Sequence, residues 1–122
     1  MLIIKPSKIY ISSANVDMRK SIDGLASIVE QSFALDPLSD MMFVFHNHHC
    51  DKVKILYWDG TGFCLLYKRI EKGKFNFPQH MTGEKYTVSG EELSWLLQGL
   101  SIEDIKCYES LKERKFSTEN AV

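Results

Sequence analysis

The tract YWDGTGFCLLYKRIEKGKF, residues 57–75, sets a turn signal, Asp59-Gly60-Thr61-Gly62, between two apolar runs. Lys52 and Lys54 lead into it, and Lys68, Arg69, Lys72 and Lys74 lead out of it. Folded as a hairpin, residues 52–75 gather six cations on one two-stranded ribbon. Like charges facing each other across a ladder destabilise it by a few tenths of a kcal/mol, and a shared polyanion reverses that sign. The chemistry on offer is electrostatic capture of phosphate, with no bond made or broken. Tyr67, Phe75 and Phe77 interleave aromatic rings with these cations, a mixture that suits contact with a nucleic-acid backbone and its bases. The plainer alternative is a solvated edge strand, because lysine commonly guards an edge against pairing with another sheet.

Register decides which residues share a face. A four-residue turn over 59–62 puts Trp58 opposite Phe63, Lys54 opposite Tyr67 and Lys52 opposite Arg69. Val53, Ile55 and Tyr57 then lie against Lys68, Leu66 and Cys64 on the core face, while Leu56 and Trp58 share the other face. A loop one residue shorter or longer would exchange the two faces.

Other residue clusters offer other chemistry. Arg19 and Lys20 are expected in the opening turn of a helix capped by Asp17. Cations beside open backbone N–H groups would make an anion site there. The competing reading is an ordinary surface pair between Arg19 and Asp23, four residues on. HNHHC, residues 46–50, contains ligand types that zinc accepts, but it crowds them into one turn and has no second cluster at ligand spacing. A polar turn is the expectation, with no metal. Asp17, Asp51 and Asp59 all sit where turns need them, so a metal-dependent nuclease would require a convergence that the spacing does not impose. No serine elbow, P-loop or dinucleotide fingerprint is present.

The elements that must position these residues follow from periodicity. KIYISS reads as a strand, and Ile22, Leu25, Ala26, Val29 and Phe33 form the apolar stripe of a helix closed by Asp36-Pro37. MMFVFH reads as a largely buried strand, KVKILYWD and FCLLYKRI as the hairpin, and EKYTVS as another short strand. Ser89 and Glu92 make a capping box ahead of Leu93, Leu96, Leu97 and Leu100, and Gly99 suits the end of that helix. The expected fold is α+β, a small antiparallel β-meander with two or three helices packed on one side. Residues 1–100 are expected as a single domain, and residues 101–122 as a C-terminal extension that is partly helical or frayed.

Composition sets the outer bounds. The chain has 122 residues, enough for one domain, and 44% of them are hydrophobic, enough for a modest core. Three cysteines without CxxC spacing fit reduced thiols, and no apolar run is long enough for a membrane span, so the expected location is cytoplasmic. The net charge of −1 hides segregation: residues 1–20 carry four cations and one acid, and residues 21–45 carry four acids and no base. Residues 46–74 carry six cations and three acids, and residues 84–122 carry five cations and eight acids. A basic face on an acidic body accounts for this pattern, and so does internal pairing.

VDMRKSIDGL, LDPLSDMMFVFHN, DKVKILYWDGTGFCLLYKRIEKGKFNFP and LSWLLQGL, in that order, resemble the TnpB (Orf2) accessory-protein family of bacterial insertion-sequence-66 transposons. That family is unrelated to the RNA-guided nuclease sharing the name. The resemblance runs from about Ile9 to Leu100. Its motifs are DMRK, a K-hydrophobic-L-aromatic-W-D-G block and a Y-K-R-aliphatic-E-x-G-x-F-x-x-P block. It implies a non-enzymatic protein without cofactor, made alongside a separate DDE-type transposase and a second small accessory protein. Family members usually carry arginines where this chain reads NHHC, and neutral histidines there attract phosphate less than protonated ones.

The expected function is accessory to DNA transposition, with Arg19, Lys20, Lys52, Lys54, Tyr67, Lys68, Arg69, Lys72 and Lys74 contacting transposon-end DNA. Trp58, Phe75 and Trp95 are the candidate anchors for a protein partner. The competing expectation is an adaptor within the transposase complex that makes no DNA contact.

Overall fold

In the computed structural model, residues 5–78 and 83–99 are described. The apolar runs become five strands: β1 (Ile9–Ser12), β2 (Met42–His46), β3 (Lys52–Trp58), β4 (Phe63–Arg69) and β5 (Lys85–Val88). Two helices, α1 (Ile22–Gln31) and α2 (Gly90–Leu96), complete the set. The strands form one sheet in the order β4-β3-β2-β1-β5. β2, β3 and β4 are a true meander. β1, however, runs parallel to β2, pairing Ile9 with Met42 and Ile11 with Val44. Parallel neighbours need a crossover, and the segment holding α1 supplies it. β5 then returns to the far edge, antiparallel to β1. The fold is α+β with a mixed sheet, so the meander expected from the sequence describes only the three strands from β2 to the β4 edge.

The helices do not share a side. Ile9, Ile11, Val44, Val53, Ile55, Tyr57 and Val88 line one face beneath Leu93 and Leu96 of α2, together with Phe75 and Phe77. Phe43, Phe45 and Leu56 line the other beneath Leu25 and Val29 of α1, together with Phe33. The reason lies in the central strand. MFVFH is buried at four of its five positions and alternates between the two cores, so water must be excluded from both faces.

α1 begins four residues later than the sequence implies. Ser21 is the residue before its first turn, whereas Asp17 organises the turn ahead of it. The Lys20 amide donates to the Asp17 carbonyl at 3.1 Å, and the Arg19 amide donates to Asp17 Oδ1 at 2.9 Å. Arg19 and Lys20 therefore precede the helix and lie outside its N-terminal turn. At the other end, the Leu35 amide reaches back to the Val29 carbonyl at 3.0 Å while Ala34 sits at φ 55°. That left-handed position usually falls to glycine. α2 carries its capping box as expected: the Glu92 amide donates to Ser89 Oγ, and the Ser89 amide donates to Glu92 Oε1, each at 3.0 Å. No helix among the described residues is long and apolar enough to cross a membrane. The extension expected over residues 101–122 lies outside the described residues.

Candidate nucleic-acid interface

The hairpin has the register that its turn dictates. Asp59 holds that turn, accepting from the amides of Thr61 at 2.9 Å and Gly62 at 2.8 Å and from Thr61 Oγ1 at 2.9 Å. These donors stabilise the carboxylate and draw its pKa down to about 2. Gly60 takes φ 99°, the left-handed conformation that the tight reversal needs. Lys52 then faces Arg69, Lys54 faces Tyr67 and Trp58 faces Phe63.

Lys54 does more than display charge. Its Nζ donates to the Met18 carbonyl at 2.7 Å and to the Lys20 carbonyl at 2.8 Å, and lies 5.6 Å from the centre of the Tyr67 ring. One ammonium thus ties the Asp17–Lys20 turn to the middle of the hairpin. The two basic segments are thereby fixed on the same side of the sheet. Tyr67, 53% exposed, stands beside them.

The remaining cations divide. Arg19 places Nη2 2.7 Å from Asp17 Oδ2, which holds the Asp17 carboxyl at a pKa of about 2. Arg69 does the same with Glu71 at 2.8 Å, raising its own pKa and lowering that of the glutamate. Both pairs are exposed, and such pairs exchange readily with water and other anions. The four-residue spacing favours Asp23 as the partner of Arg19, but Asp17 takes that place because the intervening turn brings it closer. Lys68 points to the opposite face, where its Nζ donates to the Leu97 carbonyl at 2.7 Å and lies 5.9 Å from the Phe75 ring. It satisfies the C-terminal end of α2 and stands apart from the Lys54 side.

Lys20, Lys52, Lys72 and Lys74 make no ion pair among the described residues. The loop bearing Lys72 and Lys74 is fastened to the β2–β3 turn, with the Ile70 amide donating to the Asp51 carbonyl at 2.9 Å and the Phe75 amide to the Cys50 carbonyl at 2.7 Å. This brings exposed His48 and His49 to the end of the sheet that carries Lys52, Arg69, Lys72 and Lys74. His46, in contrast, is buried, hydrogen-bonded through Nε2 to the Ser12 carbonyl at 3.0 Å and stacked on Phe77. Asn47 closes the turn, accepting from the amides of Asp51 and Lys52 and donating to the Asp51 carboxylate, whose pKa it lowers. Among the described residues, no group of three or more His, Cys, Asp or Glu side chains is placed to hold a metal ion.

The aromatic candidates fare unevenly. Phe75 is 2% exposed and Phe77 is 3% exposed, so both belong to the core and have no surface for a base or a partner. Period-two reasoning misses this, because the two residues follow the strand in a segment that folds back beneath the sheet. Trp95 is half-buried against the same core. Trp58 is half-buried near the turn, edge-on to Phe63 with ring centres 5.1 Å apart. Nothing in the sequence signals that Lys54 bonds to carbonyls across the sheet, since the contact spans 34 to 36 positions.

Residues 7–107 match the family described as IS66 Orf2 like protein. The chain is 36% identical over 99 residues to the uncharacterized protein y4jC of Sinorhizobium fredii (strain NBRC 101917 / NGR234), covering 81% of this chain and 84% of the relative. It is 33% identical over 93 residues to the uncharacterized protein y4hO of the same organism, covering 76% and 80%. No solved structure gives a significant match. With the family spanning nearly the whole described fold, including the Asp17–Lys20 turn and the hairpin it is tied to, the chain belongs to the IS66 Orf2-like proteins.

Proposed function

We propose that this protein is a non-catalytic accessory factor that contacts the DNA backbone of a transposase–DNA complex. Family membership carries the coarser statement, an accessory protein associated with transposition. One observation carries the finer one: the Lys54 ammonium joins the Arg19–Lys20 turn to the hairpin at 2.7 and 2.8 Å. A basic surface formed from separate segments is thereby pre-organised, which lowers the cost of ordering it on a polyanion. Lys20, Lys52, Lys72 and Lys74 supply charge that is not held in an ion pair with a described carboxylate. Arg19 and Arg69 add to it by exchanging an exposed carboxylate for a phosphate, and Tyr67 offers a ring for packing. Lys68 stays out of this surface and serves α2. Sequence preference comes from the partner proteins, because neither helix presents a basic face.

The test is duplex-DNA affinity measured at several salt concentrations for wild type and for Lys52→Glu/Lys72→Glu. Each phosphate contact contributes close to one unit of salt slope, so the double variant is expected to lose about two units along with affinity. Identical slopes would refute the proposal. A second reading, an adaptor that never touches DNA, draws on the carboxylate partners of Arg19 and Arg69. It predicts that the charge-reversed variant still co-purifies with the element's transposase and that wild type shows no salt-dependent DNA affinity.

A further inference from the structure

On the outer flank of α1 lies an open hollow of about 370 Å³, lined by Asp23, Ala26, Glu30, Pro37, Leu38 and Phe63 among others. Ala26, Pro37, Leu38 and Phe63 give it apolar lining, and Leu38 is 52% exposed, one of the few large hydrophobic side chains left in water among the described residues. Its rim is acidic. Asp23 and Glu30 make no ion pair among the described residues, and residues 21–45 contain four acids and no base. The two carboxylates are seven positions apart, about 10 Å along the helix axis, with small Ala26 and Ser27 between them. Small residues between charges let a second backbone approach closely.

We propose that this hollow is a docking site for a cationic amphipathic helix of a partner polypeptide. Two Lys or Arg residues seven positions apart on that helix reach Asp23 and Glu30, and apolar side chains at the intervening third and fourth positions settle on Leu38 and Phe63. The charge complementarity selects this occupant: exposed Asp23 and Glu30 attract a helix bearing cations, an apolar helix without cations forgoes that attraction, and an acidic one meets like charge. The inference stands independently of DNA contact, since the surface is acidic and uses none of the cations of the proposed interface.

The experiment titrates the full chain with a fluorescein-labelled helical peptide bearing lysines seven positions apart and leucines between them, beside a Lys→Glu twin and a Leu→Ser twin. Trp58, edge-on to the Phe63 that lines the hollow, gives an independent fluorescence readout in a Trp95→Phe background. Saturable binding of the first peptide alone is expected. Asp23→Lys/Glu30→Lys should weaken it about tenfold, the effect of turning two exposed attractions into repulsions. Asp23→Asn/Glu30→Gln and Leu38→Ser, both surface changes that leave the core intact, should weaken it less, and Leu38→Ser should leave DNA affinity unchanged. Equal binding of all three peptides, indifference to these variants, or a dimer of the free chain that Leu38→Ser dissolves would overturn the proposal.

Discussion

Replacing Lys54 with Met removes the ammonium and keeps most of the apolar stem, so the change isolates what the charge does. The lost contacts are two charged hydrogen bonds, to the carbonyls of Met18 and Lys20, and one ring contact with Tyr67. Hydrogen bonds to a charged group contribute about 1.5–3 kcal/mol each when removal strands the partner. One of these two is exposed and the other partly buried, so water reaches the vacated carbonyls and recovers part of that. The ring contact at a site this open adds about 0.5 kcal/mol. The expected loss is about 2 kcal/mol, or a fall in Tm of roughly 8 °C for a domain of this size. Urea unfolding followed by tryptophan fluorescence should show a lower midpoint with an unchanged slope. Hydrogen exchange should quicken first at the amides of Arg19 and Lys20, whose turn loses its tether. A stability loss under about 0.5 kcal/mol, or exchange at the turn that stays slow, would refute the assignment of Lys54 as a tie and return it to the freely displayed cations.

Three further outcomes follow from local geometry. Ala34→Gly should stabilise the chain by roughly 0.5–1 kcal/mol in the same unfolding assay, because Ala34 holds φ 55° at the end of α1 where glycine has no Cβ penalty. Ser89→Ala should cost about 1 kcal/mol, since the hydroxyl oxygen that accepts the Glu92 amide is removed from the capping box. Asp17 and Asp59 have folded-state pKa values drawn from 3.8 to about 2, Asp17 by the Arg19 guanidinium and Asp59 by the amides of Thr61 and Gly62. Their contribution to stability is therefore fully present above pH 3.8 and is lost as pH falls through about 2; thermal melts that stay flat from pH 5 down to 2 would contradict it.

Elements governed by neighbouring residues could be read from the chain. The turn Asp59-Gly60-Thr61-Gly62 imposed its register because the Asp59 side chain and the left-handed Gly60 are themselves the constraint, and every facing pair of β3 and β4 follows. The capping box of α2 is equally local, since Ser89 and Glu92 satisfy each other's amides. The family resemblance was legible for a related reason: its motifs sit in these turns and strands, where side chain and backbone constrain one another over short distances.

What depended on distant partners could not be read. Alternation along MFVFH marks two apolar faces, but only assembly of the sheet decides that α1 covers one and α2 the other. Interleaved with lysines, Phe75 and Phe77 suit ring contacts with a base, but the segment that carries them packs both into the core on the α2 side. The cations divided for the same kind of reason. Asp17 takes Arg19 through a local turn, while carbonyls left open by a loop and by a helix end take Lys54 and Lys68. The sequence determined how much positive charge the hairpin holds. The tertiary structure decided which of it remains for another molecule, because a backbone carbonyl without a partner competes for an ammonium as a phosphate would.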